Sequence, residues 1–213
     1  MKRLPRIFAA VATLFAAGAV CVAVSTVTSC DVLRQVAGTY NMTNCKYDFR
    51  SLTEVSVAGI DISRGLSPLD TPRILGLLAG GSTGSLPVAC TVNLDVQNPG
   101  SSEAILGGME YVLAIDGVDF TSGAVARHLS VAPGATGSLP IPMTFDVAAL
   151  LRGESRDAVM GVVRNLVAMS GLASVGTDEP SRVTLNIRPS FNVAGQTVAS
   201  PVFIPVGFSF GGK

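Results

Sequence analysis

Few side chains in this sequence carry chemistry of their own, and their spacing narrows what they can do. His128 is the single histidine, beside Arg127 on a strand-like segment. A hydrolase nucleophile needs a base within hydrogen-bond reach, and a surface histidine is the simpler reading of this one. Two carboxylates that split a glycosidic bond must flank a cleft, whereas Asp116 and Asp119 fall where a turn is expected. One histidine and no ligand cluster argue against a metal site, and nothing in the residues suggests a cofactor. Of the four cysteines, Cys45 and Cys90 are the pair that an oxidising compartment could join. Cys90 also falls on the apolar face of a strand, where a free thiol is equally at home. The expectation is a chain that is not an enzyme.

The other two cysteines belong to the N-terminus. Lys2, Arg3 and Arg6 precede an uncharged apolar run from Ile7 to Val24, and Val27-Thr28-Ser29 leads directly to Cys30. A basic start, an apolar stretch and small residues before a cut are the anatomy of a secretory signal. A cysteine at the cut makes residues 1–29 look like a bacterial lipoprotein signal peptide. Cys30 would then be the lipidation site, and Cys21 would be lost with the leader. A signal-anchor helix is the competing reading, because about 20 apolar residues can span a bilayer. The small residues 25–29 fit a cleavage site better. Residues 30–45 read as a lipidated tether and 46–213 as the folded domain, so the expected address is the membrane of the cell envelope, facing the periplasm. Loss of the three leader cations leaves 12 basic against 15 acidic residues. That balance argues against a broad nucleic-acid footprint.

The domain must be built mostly from strands. Tyr47 and Phe49 open an alternating region that runs to Ile62, with a break near Leu52 and a bend at Gly59. Cys90, Val92, Leu94 and Val96 alternate with polar residues, the period-2 pattern of a half-buried strand. Asn98-Pro99-Gly100 closes that strand as a turn, with a positive φ expected at the glycine. Met109, Tyr111, Leu113 and Ile115 follow, and Asp116-Gly117 predicts a type I′ hairpin into Val118–Phe120. Leu139, Ile141, Met143 and Phe145 alternate with Pro140 and Pro142. Two prolines of equal parity remove donors from the same side, which predicts an edge strand. Thr71 to Leu78 has the form of a short helix. Ser155 to Ser170 places Val159, Val162, Val163, Leu166 and Met169 on one stripe, an amphipathic helix that packs on a sheet or lids an apolar cavity. Strands through Val183–Ile187 and Val202–Phe210 complete a β-sandwich with one inserted helix.

Three runs, VNLDVQNPG, MEYVLAIDGVDFTSG and HLSVAPGATGSLPIPMTFDV, resemble the late-embryogenesis-abundant type 2 (LEA2) family, also called the WHy domain. The resemblance covers roughly Glu54 to Val147 and is closest to a lipid-anchored bacterial version. It implies an immunoglobulin- or fibronectin-III-like sandwich and a stress-protective role, with no catalytic site to carry over. Asn98 and Pro99 are its structural turn marker. The function expected is a non-catalytic envelope lipoprotein that binds a partner or protects against stress. A carrier of apolar ligands or lipids is the alternative, and an enzyme is the weakest reading.

Overall fold

The computed structural model describes residues 37–38, 40–65, 67–73, 76, 85–151, 156–169, 176–193 and 196–212. The leader, Cys21 and the lipidation candidate Cys30 lie outside them, as do Ser155 and half of the helix expected at 71–78. The strands are β1 (Lys46–Val57), β2 (Ile60–Asp61), β3 (Pro87–Gln97), β4 (Ala104–Leu106), β5 (Gly108–Ile115) and β6 (Val118–Val125). They continue as β7 (Leu129–Val131), β8 (Thr136–Asp146), β9 (Ser181–Val193), β10 (Gln196–Ala199) and β11 (Ile204–Phe210), with helices α1 (Val147–Leu150) and α2 (Arg156–Ala168) between β8 and β9.

The pairings are antiparallel and form two main sheets. One runs β2-β1-β3-β8; the other runs β10-β9-β5-β6, with β11 also on β9, and β4 and β7 make a separate two-stranded ribbon. Val88, Val92, Leu94 and Val96 of β3 and Leu139, Ile141 and Met143 of β8 meet Met109, Leu113, Ile115, Leu185 and Ile187, all buried. The alternation read from the sequence is therefore the wall of a sandwich core. Two aromatic pairs close its flanks. Phe49 stacks on Phe208 at a centroid distance of 3.9 Å, joining β1 to β11. Phe120 meets Phe145 edge-on at 5.3 Å, joining β6 to β8.

Turn chemistry fixes the register. Asp116 (φ 50°) and Gly117 (φ 81°) both take the left-handed conformation, so Ile115 pairs with Val118 across a two-residue turn. Ala58 (φ 50°) and Gly59 (φ 77°) do the same between β1 and β2, and β1 carries two bulges beyond it. Strand β8 lies at the edge of its sheet. The Thr144 carbonyl turns away from β3 and accepts from Thr121 Oγ1 at 3.3 Å. Pro140 and Pro142 share its parity, so their missing donors fall on the free side, as their spacing requires.

Three expectations need correction. The positive φ foreseen at Gly100 is absent; the turn is closed instead by the Asn98 side chain, which accepts from the Gly100 N–H at 2.9 Å. The tether is shorter than 30–45, because Met42 is fully buried in the core and the Tyr47 hydroxyl donates to its carbonyl at 2.7 Å. Cys45 and Cys90 are both free. Cys45 adjoins Lys46, which pairs with Gln97 at the far end of β3 from Cys90. At about 3.3 Å per residue that separation is roughly 20 Å or more, against about 7 Å at most for a disulfide.

Candidate functional site

Asn98 is about 1% exposed, and every polar group it has is used. Its Nδ2 donates to the carbonyls of Ser102 (2.8 Å) and Val131 (2.9 Å), while Oδ1 holds Gly100. Its backbone N–H donates to Ala135, and its carbonyl accepts from Gly134. One residue thus ties the end of β3 to β7 through its side chain and to the turn before β8 through its backbone. With both amide hydrogens and the acceptor spent on backbone, Asn98 has nothing left for a ligand.

On the outer face of the second sheet a surface of different character forms. Glu110 of β5 lies directly across from Arg188 of β9. Arg188 Nε donates to Glu110 Oε2 at 3.1 Å, and Nη2 donates to the same oxygen. Phe203, in the connection from β10 to β11, covers the guanidinium at 4.9 Å. A shallow groove of about 500 Å³ opens beside it, lined by Glu110, Tyr111, Val112, Ser122, Gly123, Ala124 and Phe203. Gly123 pairs with Tyr111, and an added Cβ there would lie 2.7 Å from the Tyr111 hydroxyl on the buried face of the sheet. Phe203 is exposed at the rim of the groove, and Val198 and Val202, close to it in sequence, are exposed as well. An arginine held flat under an aromatic ring, with apolar neighbours, has the composition of a protein contact surface. Sequence periodicity did not reveal it: the strand expected over Val202–Phe210 starts at Ile204, which leaves Phe203 in the connection before it.

Helix α2 packs its Val159, Val162, Val163 and Leu166 inward, while Met169 is exposed beyond its end. The stripe thus stops one residue short of the expectation. Asn165, about 1% exposed, interrupts the apolar face. Its Oδ1 accepts from the N–H and hydroxyl of Thr177, and its Nδ2 donates to the Glu179 carbonyl and Ser181 Oγ. Between Leu166 and the sheets, Cys90, Leu113, Phe145, Val183 and Phe208 border an apolar void of about 20 Å³. That is room for one water molecule and not for an acyl chain. Burial pushes the Cys90 thiol up to about 11, so it stays protonated and unreactive at neutral pH.

The remaining candidates are dispersed. His128 is exposed in the connection from β6 to β7. Asp116 Oδ1 accepts from the Arg182 N–H at 2.8 Å, a hairpin-to-β9 clasp, and Asp119 is exposed. Among the described residues no group of three or more His, Cys, Asp or Glu could hold a metal ion, and no helix is long and apolar enough to cross a membrane. Gly80-Gly81-Ser82-Thr83-Gly84 spells the Gly-x-Ser-x-Gly of a nucleophile elbow, a match easily overlooked. An elbow needs a strand before it and a helix after it. Here β3 comes after, and the run itself lies outside the described residues.

No family model and no curated protein matches the chain. Among solved structures it is similar to a protein from Archaeoglobus fulgidus, at 12% identity over 76% of this chain and 97% of that one, with a TM-score of 0.35. A protein from Arabidopsis thaliana matches at 14% identity over 77% of each chain, TM-score 0.37. A solution structure described provisionally as a late embryogenesis abundant (LEA) protein matches at 15% identity over 92% of this chain and 84% of that one, TM-score 0.37. At such scores the functional reading rests on the chain's own residues.

Proposed function

We propose that the chain is a non-catalytic lipoprotein of the bacterial cell envelope. In this reading it is cleaved before Cys30, acylated there, and faces the periplasm with an LEA2-like domain of immunoglobulin or fibronectin-III-like arrangement. Its work is binding or stress protection carried out by surface contacts. The observation that supports this most directly is the groove at Glu110, Arg188 and Phe203, the described surface that combines an exposed aromatic ring with a fixed charge pair. The family part of the reading draws on the three sequence runs quoted above, and the Asn98 hub lies at their Asn-Pro turn. Among the described residues, the apolar void beside Leu166 holds about 20 Å³, too little for an acyl chain, and so lends no support to carriage of an apolar ligand.

Two measurements test the reading separately. Replacing Cys30 by Ala abolishes incorporation of radiolabelled palmitate; unchanged labelling removes the lipid anchor. Mass spectrometry of proteins and lipids co-purified with the membrane-extracted protein identifies the bound class, and Phe203→Ala is expected to deplete it. Equal recovery from the Phe203 variant would remove the groove as the binding surface.

A further inference from the structure

The exposed strand edges of the sandwich are managed unequally. On β8 the prolines 140 and 142 remove the outward donors, and Pro205 stands in β11. Strand β2 has two residues, and the open part of β1 carries Lys46, Asp48, Arg50 and two bulges. Proline, charge, shortness and bulges are the usual ways to stop edge-to-edge pairing. Strand β6, Val-Asp-Phe-Thr-Ser-Gly-Ala-Val, lies at the end of its sheet with neither proline nor lysine. Its one bulge falls where Leu113 and Ala114 face Thr121 and Asp119, which leaves 121–125 in regular register.

We infer that β6 is a self-association edge, onto which a second copy of this chain adds its own β6 in antiparallel register centred on Gly123. The two-residue hairpin makes Ile115 and Val118 a hydrogen-bonded pair. Alternation from that pair, counted through the bulge, directs the N–H and C=O groups of Thr121, Gly123 and Val125 to β5 and those of Ser122 and Ala124 outward. Both outward residues are exposed. Centring two copies on Gly123 sets Ser122 opposite Ala124 of the second copy, so the outward groups meet as hydrogen-bonded pairs. The same register sets Asp119 near Arg127 of the second copy, since each lies four residues from Gly123 on opposite sides. Both are exposed in the single chain. The bulge displaces Asp119 by one position, within reach of an arginine side chain. A two-fold axis repeats the pair, so each dimer gains two opposite-charge contacts at its ends. The edge is continuous with the Phe203 groove through Ser122 and Ala124. This inference does not depend on the lipid anchor.

The test is sedimentation equilibrium of the purified protein in density-matched detergent over a wide concentration range, where a reversible dimer is expected. Asp119→Arg and Arg127→Asp should each weaken the dimer about tenfold, and the double variant should restore it. Ser122→Pro removes an outward N–H without touching the β5 ladder and should also weaken the dimer; the charge variants keep the test valid if that proline impairs folding. A protein that remains monomeric throughout overturns the inference. So does a dimer indifferent to the charge reversals, or one that the double variant fails to restore.

Discussion

Asn98 and Asn165 are two buried amides with the same inventory and opposite surroundings. Each is about 1% exposed and each is fully paired. Asn98 spends both donors on carbonyls and binds turns that are far apart in sequence, Gly100, Ser102 and Val131. Asn165 spends both acceptor contacts on Thr177 and reaches Glu179 and Ser181, so it pins α2 to the segment leading into β9. The first hub joins sheet elements that form the body of the sandwich; the second docks a late helix onto it. An unpaired buried polar group costs about 1–3 kcal/mol, more when charged. The two positions therefore differ in what each substitution strands, and the contrast can be measured.

The largest expected effect is Asn98→Asp, which replaces the Nδ2 that donates to the Ser102 and Val131 carbonyls by one oxygen facing both. Loss of about 3–5 kcal/mol in denaturant unfolding at neutral pH is expected. Asn165→Asp should cost less, about 1–2 kcal/mol, because a carboxylate still accepts from Thr177 and can accept from the Ser181 hydroxyl. Equal losses at the two positions would erase the distinction between a hub of donors and a hub of acceptors. Gly123→Ala, away from both hubs, forces the Tyr111 ring aside and should cost about 1–2 kcal/mol by overpacking.

A smaller effect depends on pH and lies outside both hubs. Neither asparagine titrates, whereas Asp146 clamps the start of α1 close to β3. The Leu86 N–H, the Ser85 hydroxyl and the Ala148 N–H hold its carboxyl below the ordinary value of 3.8. A lowered folded value stabilises the protein above the unfolded value, and that contribution fades as the pH falls through the folded one. Thermal melts from about pH 5 down to about pH 2.5 should therefore fall less steeply for Asp146→Asn than for the parent. Identical slopes would mean that the clamp adds nothing. At the bottom of the scale, His128→Ala should leave stability unchanged in the same melts, as expected for an exposed loop side chain.

The comparison also explains what could be read in advance. Asn98 announced itself because proline and glycine follow it and an alternating strand precedes it. The bonding differed from the expected glycine-based turn, since the asparagine side chain took over the closure. Asn165 gave no such signal: one polar residue beside an apolar stripe reads as part of the polar face until its partners at 177–181 are folded against it. The same holds for Phe203, which reads as a strand residue until the chain enters β11 a residue later.

By itself the sequence determined the parts governed by local rules. These are the alternation of β3, β5 and β8, the type I′ turn at Asp116-Gly117, the proline-blunted edge at β8 and the apolar stripe of α2. Each follows from side-chain parity, backbone sterics or a missing donor, all of which act over a few residues. Tertiary structure alone decided that Cys45 and Cys90 stand at opposite ends of one sheet and that Met42 belongs to the core. It also placed Arg188 beneath Phe203 and left β6 as an edge without proline or lysine. Those outcomes depend on which strands become neighbours, a choice made by long-range packing of the two faces and not by any short run of residues.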